Sequence, residues 1–450
     1  MYTNDPKLRH HDQCRLLLLY GNSVLVEVLH DKPSLQLPRI SIPSRVRPTE
    51  RLQLSAQCRW SMKIFVIDFL EAARDYPPCA VAEVLSYEID SCLVGIELEE
   101  LDLCELKTQE KVAVHEIING HSRSRGPFCR TGWLLETINW ARSAVEPKSE
   151  LTGEFRQFNA TGHFSLIRFS SINGPACWLK ATGEPNRHEY PLTERLSQLC
   201  PEGLPPRIAG RSDWNAWLME DAGEPCVVWD RQKLERATQT LAIIQQKTIG
   251  HTNELLVAGG YDLRISGIRL HIRSLFAYLD EIMPRQTSTR SPLIDAGRLS
   301  EMESMVSDAC GCMENLGIPN TVVHHDLNKE NVLFEGARCV LTDWCEAGVG
   351  NPILSCQSLW SHQEAAAREW LPSLHWTAKQ GWIDYLSEKQ IDTALTLAPL
   401  LSMLICLYGR GTWLHSPLQN HPSILGYKRT IARRMDRACR DPRLVEALCR

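Results

Sequence analysis

The chain has no apolar run of membrane-spanning length. Its longest, Ala394 to Tyr408, holds fifteen residues and includes Thr396, Pro399 and Ser402, whereas a span takes about 20 predominantly apolar residues. A buried helix or helix pair is expected there. The apolar run Leu16 to Tyr20 is short and has charged residues on both sides, so it does not read as an export signal and the expected location is cytoplasmic. Strong net charge is also missing. With 49 basic and 54 acidic residues the formal charge is -5, so nothing global draws the chain to nucleic acid or to an anionic membrane, and neither is an expected partner. The 17 cysteines are scattered without a Cys-x-x-Cys pair, and Cys310 and Cys312 are the nearest neighbours. That excludes zinc-finger spacing and favours reduced, buried thiols. Repeats and low-complexity tracts are absent. What remains is ordinary globular composition, 43% hydrophobic and 23% charged over 450 residues, enough for two or three domains.

One stretch carries chemistry. Residues 323–344 contain His324, Asp326, Asn331 and Asp343. A short strand from Val332 to Phe334, a turn at Glu335-Gly336 and a returning strand from Arg338 to Thr342 predict a hairpin that brings Asn331 to Asp343. Converging oxygen ligands of this kind suit Mg²⁺. Asp326, on the loop just before, is then placed to accept a proton from an attacking hydroxyl.

Residues 1–145 read as a strand-rich α+β segment. Strands are expected around Gly21-Asn22, at Lys63 to Phe69, Val81 to Tyr87 and Cys92 to Leu98, and an amphipathic helix at Trp133 to Ala141. The outline, with Leu37-Pro38-Arg39, resembles a Nudix-like fold, but the glutamate-rich helix that holds that family's metal is missing. This segment is expected either to bind a partner or to pack on the rest of the chain. Val145 to Leu151 is the expected domain boundary.

Three strands follow, at Phe155 to Ala160, Ser165 to Phe169 and Ala176 to Ala181. Gly162 lies in the first turn, either as a phosphate-covering glycine or as an ordinary hairpin glycine. Lys180 is on the third strand. Arg187 to Leu199 has helical spacing and carries Glu189, with Glu194 as a rival partner for the lysine. A strand lysine and a helix glutamate in this order can form the ion pair that holds ATP phosphates; an exposed strand lysine is the alternative. Trp214 to Met219 reads as a strand that runs into Glu220-Asp221-Ala222-Gly223, a hinge whose amides would face an adenine edge. Beyond it the apolar stripes of Leu234 to Ile244, Ile265 to Leu279 and Leu299 to Leu316 predict core-facing helices. Trp360, Trp370, Trp376 and Trp382 are expected to pack together, and Tyr427 to Arg450 to form a basic terminal helix. Asp262, Asp280, Glu281 and Glu346 are candidate attractors for a cationic acceptor, or simply exposed charges.

His324-x-Asp326-x-x-x-x-Asn331 followed by Leu341-Thr342-Asp343-Trp344 resembles the catalytic loop and metal-binding Asp of the aminoglycoside phosphotransferase and choline kinase-like family, over about residues 155–445. The resemblance implies an α+β, two-lobed protein-kinase-like fold, with a β-rich lobe at 151–222 and a helical lobe at 223–450; the separate α+β domain expected before it at 1–145 lies outside the resemblance. It implies transfer of the γ-phosphoryl group of ATP to the hydroxyl of a small molecule. In that reading Asp326 is the base, Asn331 and Asp343 bind Mg²⁺, Lys180 and Glu189 serve the ATP phosphates, and Met219, Glu220 and Asp221 line the nucleotide. His324 is expected to brace the loop. His325, in place of the usual Gly, and Asn351, in place of a common Asp before Pro352, depart from the pattern. The absence of Asp-Phe-Gly argues against a protein kinase. A nucleotide-binding pseudokinase with a regulatory role is the alternative.

Overall fold

The computed structural model describes residues 13–28, 35–43, 47–70, 77–87, 92–102, 105–120, 125–287, 289, 291–361, 369–411, 420 and 422–449. The expectation touching Arg450 lies outside them. The chain divides into two compact units, Met1–Tyr190 with Pro206–Asp221, and Pro191–Pro205 with Ala222–Arg450.

The first unit opens with a mixed sheet of β1 (Gln13–Tyr20), β2 (Ser23–Val28), β3 (Leu35–Gln36), β4 (Arg39–Ser41), β5 (Lys63–Leu70), β6 (Cys79–Ser86) and β7 (Leu93–Ile96). Its central order is β3-β2-β1-β6-β5, with β4 on β1 and β7 on β2. β1 and β6 run parallel. The helices are α1 (Pro48–Trp60), α2 (Thr108–Asn119) and α3 (Trp133–Val145). Sequence patterning shows only α3 of these.

Because strand side chains alternate faces, the near-continuous apolar run of β1 serves two cores. Leu16 and Leu18 face the cluster containing Leu52, Ala56 and Trp60 of α1. Leu17 and Leu19 join a second cluster, which also contains Trp133 and Leu134 of α3.

That second cluster continues into an antiparallel sheet of β8 (Leu151–Thr161), β9 (Phe164–Ser171), β10 (Cys177–Thr182), β11 (Arg207–Arg211) and β12 (Ala216–Glu220), in the order β11-β12-β10-β9-β8. Ile167, Phe169, Leu179 and Leu218 share its core with Leu17 and Trp133. Trp133 contacts Phe65, Phe128 and Trp214 with ring centroids 5.9–6.3 Å apart. Residues on either side of the expected boundary at 145–151 therefore share one core, and the chain passes between the compact units at 190/191, 205/206 and 221/222.

The second unit is mainly helical. α4 (Glu189–Leu199) contributes Leu192 and Leu196 to its core. Then come β13 (Glu224–Pro225), α5 (Arg231–Lys247), α6 (Thr252–Val257), β14 (Tyr261–Leu263), α7 (Ile265–Arg269), α8 (Ile272–Ile282) and α9 (Ala296–Asn315). The expected stripes of α5, α8 and α9 face this core. After β15 (Thr321–His324), β16 (Val332–Glu335), β17 (Arg338–Leu341) and β18 (Ala347–Gly350) come α10 (Pro352–Ser361), α11 (Leu371–Trp382), α12 (Glu388–Tyr408), α13 (Pro422–Cys439) and α14 (Pro442–Leu448).

α12 is one helix of 21 residues, long and apolar enough to cross a membrane by composition alone, and 67% of its most apolar window is buried within the fold. It starts earlier than the apolar run suggests because Ser387 and Gln390 form a capping box. Two further expectations need correction. Trp360 and Trp382 are buried but Trp376 is 60% exposed, and Trp360 meets His375 while Trp382 meets Tyr385. The described residues from 427 on form two helices, Pro422–Cys439 and Pro442–Leu448, split at Asp441, and Ile431, Met435 and Cys439 are in the core.

Candidate active site

β10 positions Lys180. Its ammonium donates to Glu189 Oε1 at 2.5 Å, with the two side chains 5% and 1% exposed. Phe164 and Trp217 present ring faces to the same nitrogen, with centroids 5.0 and 5.8 Å away. Aromatic faces suit an ammonium, and the low local dielectric strengthens the ion pair.

Met219 is buried in a small cluster with Tyr190 and Trp217. The amides of the next two residues, expected to face an adenine edge, are both engaged within the protein. The Glu220 amide donates to Pro206 O at 2.9 Å and the Asp221 amide to Ala176 O at 3.2 Å, because β12 and its extension pair on both sides. The Asp221 carboxylate is held by Arg168 at 2.8 Å.

In the second unit the hairpin forms as its sequence requires. Val332 pairs with Leu341 and Glu335 with Arg338, and Gly336 turns the chain at φ +57°. The Thr342 amide donates to Asn331 O at 3.0 Å, so Asn331 and Asp343 flank the open end of one hairpin. Asp343 has φ 64° and ψ 66°, a left-handed geometry that Asp tolerates better than most residues.

His324 ties this end together. It is fully buried. Its Nδ1 accepts the Asp326 amide at 3.2 Å, which places the proton on Nε2, and Nε2 then donates to Thr342 O at 3.1 Å. Burial holds its pKa below the usual imidazole value, so the ring is a neutral brace rather than an acid. Trp344 packs on it with centroids 4.8 Å apart.

Asn331 Nδ2 donates to Asp326 O at 2.7 Å, leaving Oδ1 as its remaining oxygen donor. Asn328 Nδ2 reaches Asp326 Oδ1 at 3.3 Å. The Asn331 amide oxygen and the Asp343 carboxylate are hard donors at one hairpin end, and that donor set fits Mg²⁺.

Ser355 escaped the sequence reading. Its Oγ accepts the His324 amide and donates to His324 O, both at 2.9 Å. A lone hydroxyl in Ile353-Leu354-Ser355-Cys356 was the available signal. Asn351 accepts the Ile353 amide at 3.0 Å and opens α10. The carbonyl of His325 accepts from Ser358 at 3.2 Å.

Among the acidic residues considered for a cationic acceptor, Asp262 pairs with Arg264 and Glu346 with Arg410, each at 2.6 Å, and Glu281 pairs with Arg285. Their charge is largely met within the protein.

No family model matches the chain, and no curated protein matches it in sequence. Its fold does match solved structures. The choline kinase of Cryptosporidium parvum aligns at 11% identity and TM-score 0.50, covering 70% of this chain and 99% of that one. A choline/ethanolamine kinase family protein from Mesorhizobium loti aligns at 14% identity and TM-score 0.46, covering 70% and 98%. The macrolide 2'-phosphotransferase of Brachybacterium faecium aligns at 14% identity and TM-score 0.43, covering 67% and 98%. The chain has the kinase-like fold of the choline kinase, with the five-stranded sheet and the hairpin-borne loop described above.

Proposed function

We propose that this protein transfers the γ-phosphoryl group of ATP to a hydroxyl of a small molecule. The observation that carries the reading is the loop of Asp326, Asn331 and Asp343, locked at both ends by one neutral, buried histidine. The Lys180–Glu189 pair on the sheet supports it. Asp326 takes the proton of the acceptor hydroxyl as the oxygen bonds to the γ-phosphorus, while the bond to the β–γ bridging oxygen breaks and ADP leaves. Asn331 Oδ1 and Asp343 would hold Mg²⁺, which neutralises phosphate charge when bound. Lys180 adds a fixed positive charge that needs no reorganisation during transfer.

Asp326→Asn keeps the size of the side chain and removes its basicity. Turnover with a panel of hydroxyl-bearing metabolites, read as ADP release, should fall by roughly 10²- to 10⁴-fold, while Mg-ATP still raises the melting temperature. Equal turnover in both proteins would count decisively against Asp326 as the base. A second reading, a nucleotide-binding protein without turnover, draws on His325, which stands beside Asp326 where the family pattern has Gly. Stabilisation by Mg-ATP with no ADP released by the wild type selects it.

A further inference from the structure

The turn between β8 and β9 holds only Gly162 and His163, since Thr161 pairs directly with Phe164. In the phosphotransferase reading, on which this inference rests, this turn leads into the strand paired with the one that carries the phosphate lysine. All four of its backbone polar groups are engaged. The Gly162 amide donates to Asp68 Oδ1 at 2.6 Å, and the His163 amide reaches Thr161 Oγ1 at 3.3 Å. Gly162 O accepts from the Gly126 amide at 2.7 Å and His163 O from the Gly183 amide at 2.8 Å. The turn thus offers no amide for cradling a phosphate. It is built as a fixed strut.

What fixes it comes from the first 145 residues. Asp68, 5% exposed, also receives Arg125 Nε at 2.7 Å, and Arg125 reaches Glu116 at 3.0 Å. Asp68 is the last of three β5 residues that contact β8 or the turn after it. Lys63 meets Glu154 at 2.8 Å. Gln157 then satisfies both backbone groups of Val66, at 3.0 and 2.6 Å, and Asp68 takes Gly162. Gln157 therefore occupies the edge of β5 much as a neighbouring strand would. Backbones approach so closely at the far end that a Cβ on Gly183 would lie 2.9 Å from Gly126 N. Directly after the turn stands Phe164, whose ring faces the Lys180 ammonium at 5.0 Å.

We propose that Asp68 is a positioning residue for the nucleotide lysine, holding the Gly162–His163 turn so that Phe164 stays against Lys180. Asp68 touches no reacting atom and acts through the turn. The N-terminal segment is, in this sense, part of the phosphate site's scaffold.

The test is Mg-ATP affinity by calorimetry for the wild type, Asp68→Ala, Asp68→Asn and Gly183→Ala, with hydrogen exchange to confirm that each is folded. Losing a charge-assisted bond to a buried amide should weaken Mg-ATP roughly tenfold in Asp68→Ala. Asp68→Asn keeps an oxygen for the Gly162 amide and should recover most of the affinity. Gly183→Ala displaces the same turn without altering any charge and should weaken binding as well, so the proposal stands testable even if one variant fails to fold. Wild-type affinity, or tighter binding, in folded Asp68→Ala overturns the positioning role while leaving the phosphotransferase reading intact. A wild type that binds no Mg-ATP overturns both.

Discussion

The loop of His324, Asp326 and Asn331 and the β8–β9 turn are both held rigid, but by supports at very different distances along the chain. The loop is braced from within its own stretch. His324 bonds to Asp326 and Thr342, and Ser355 lies 31 residues on. The turn is braced by Asp68, 94 residues away. A short-range brace is written into one motif and forms with its hairpin. A long-range brace exists only after two sheets have docked, and single-sequence patterning is blind to it.

The largest expected effect comes from breaking the local brace. His324→Ala removes two hydrogen bonds and leaves a cavity, and should cost about 3–4 kcal/mol in chemical denaturation, with exchange protection lost around 324–343. Protection that stays unchanged there would show the loop is held by something else. Glu189→Gln comes next. It removes the Glu189 carboxylate charge from the buried Lys180 ammonium and should destabilise by about 2–3 kcal/mol, less than the 3–5 kcal/mol typical of breaking a buried pair because Gln still accepts a hydrogen bond. It should also weaken Mg-ATP, and undiminished affinity would separate the pair from the phosphates.

The smallest effect sharpens the comparison by pH. The pKa of His324 is depressed in the folded state, so below the ordinary imidazole value the unfolded chain binds more protons than the native one. Stability should therefore decline as pH falls from about 6.5, and His324→Gln should flatten that decline. A wild-type melting temperature flat between pH 7 and 5.5 would remove His324 as its source.

Legibility followed the range of the contacts. The β16–β17 hairpin, the stripes of α5, α8 and α9, and the Lys180-before-Glu189 order are local patterns, and each is visible in the residues themselves. Helices α1 and α2 were not visible. α1 begins just after a Pro- and Arg-rich stretch and turns only Thr49, Leu52, Ala56 and Trp60 inward, too sparse a stripe to read without knowing its sheet. Hinge amides looked open because linear sequence does not reveal that Pro206 and Ala176 flank Glu220 and Asp221.

The sequence by itself determined the chemistry-bearing loop, because His324, Asp326, Asn331 and Asp343 are brought together by one hairpin whose turn and strands are encoded within it. Tertiary structure alone decided what the first 145 residues are for in the fold. The two faces of β1 serve two cores, and one of those cores is shared with the sheet that carries Lys180. Burial of that kind has no local signature, since an apolar strand looks the same whichever surface finally covers it.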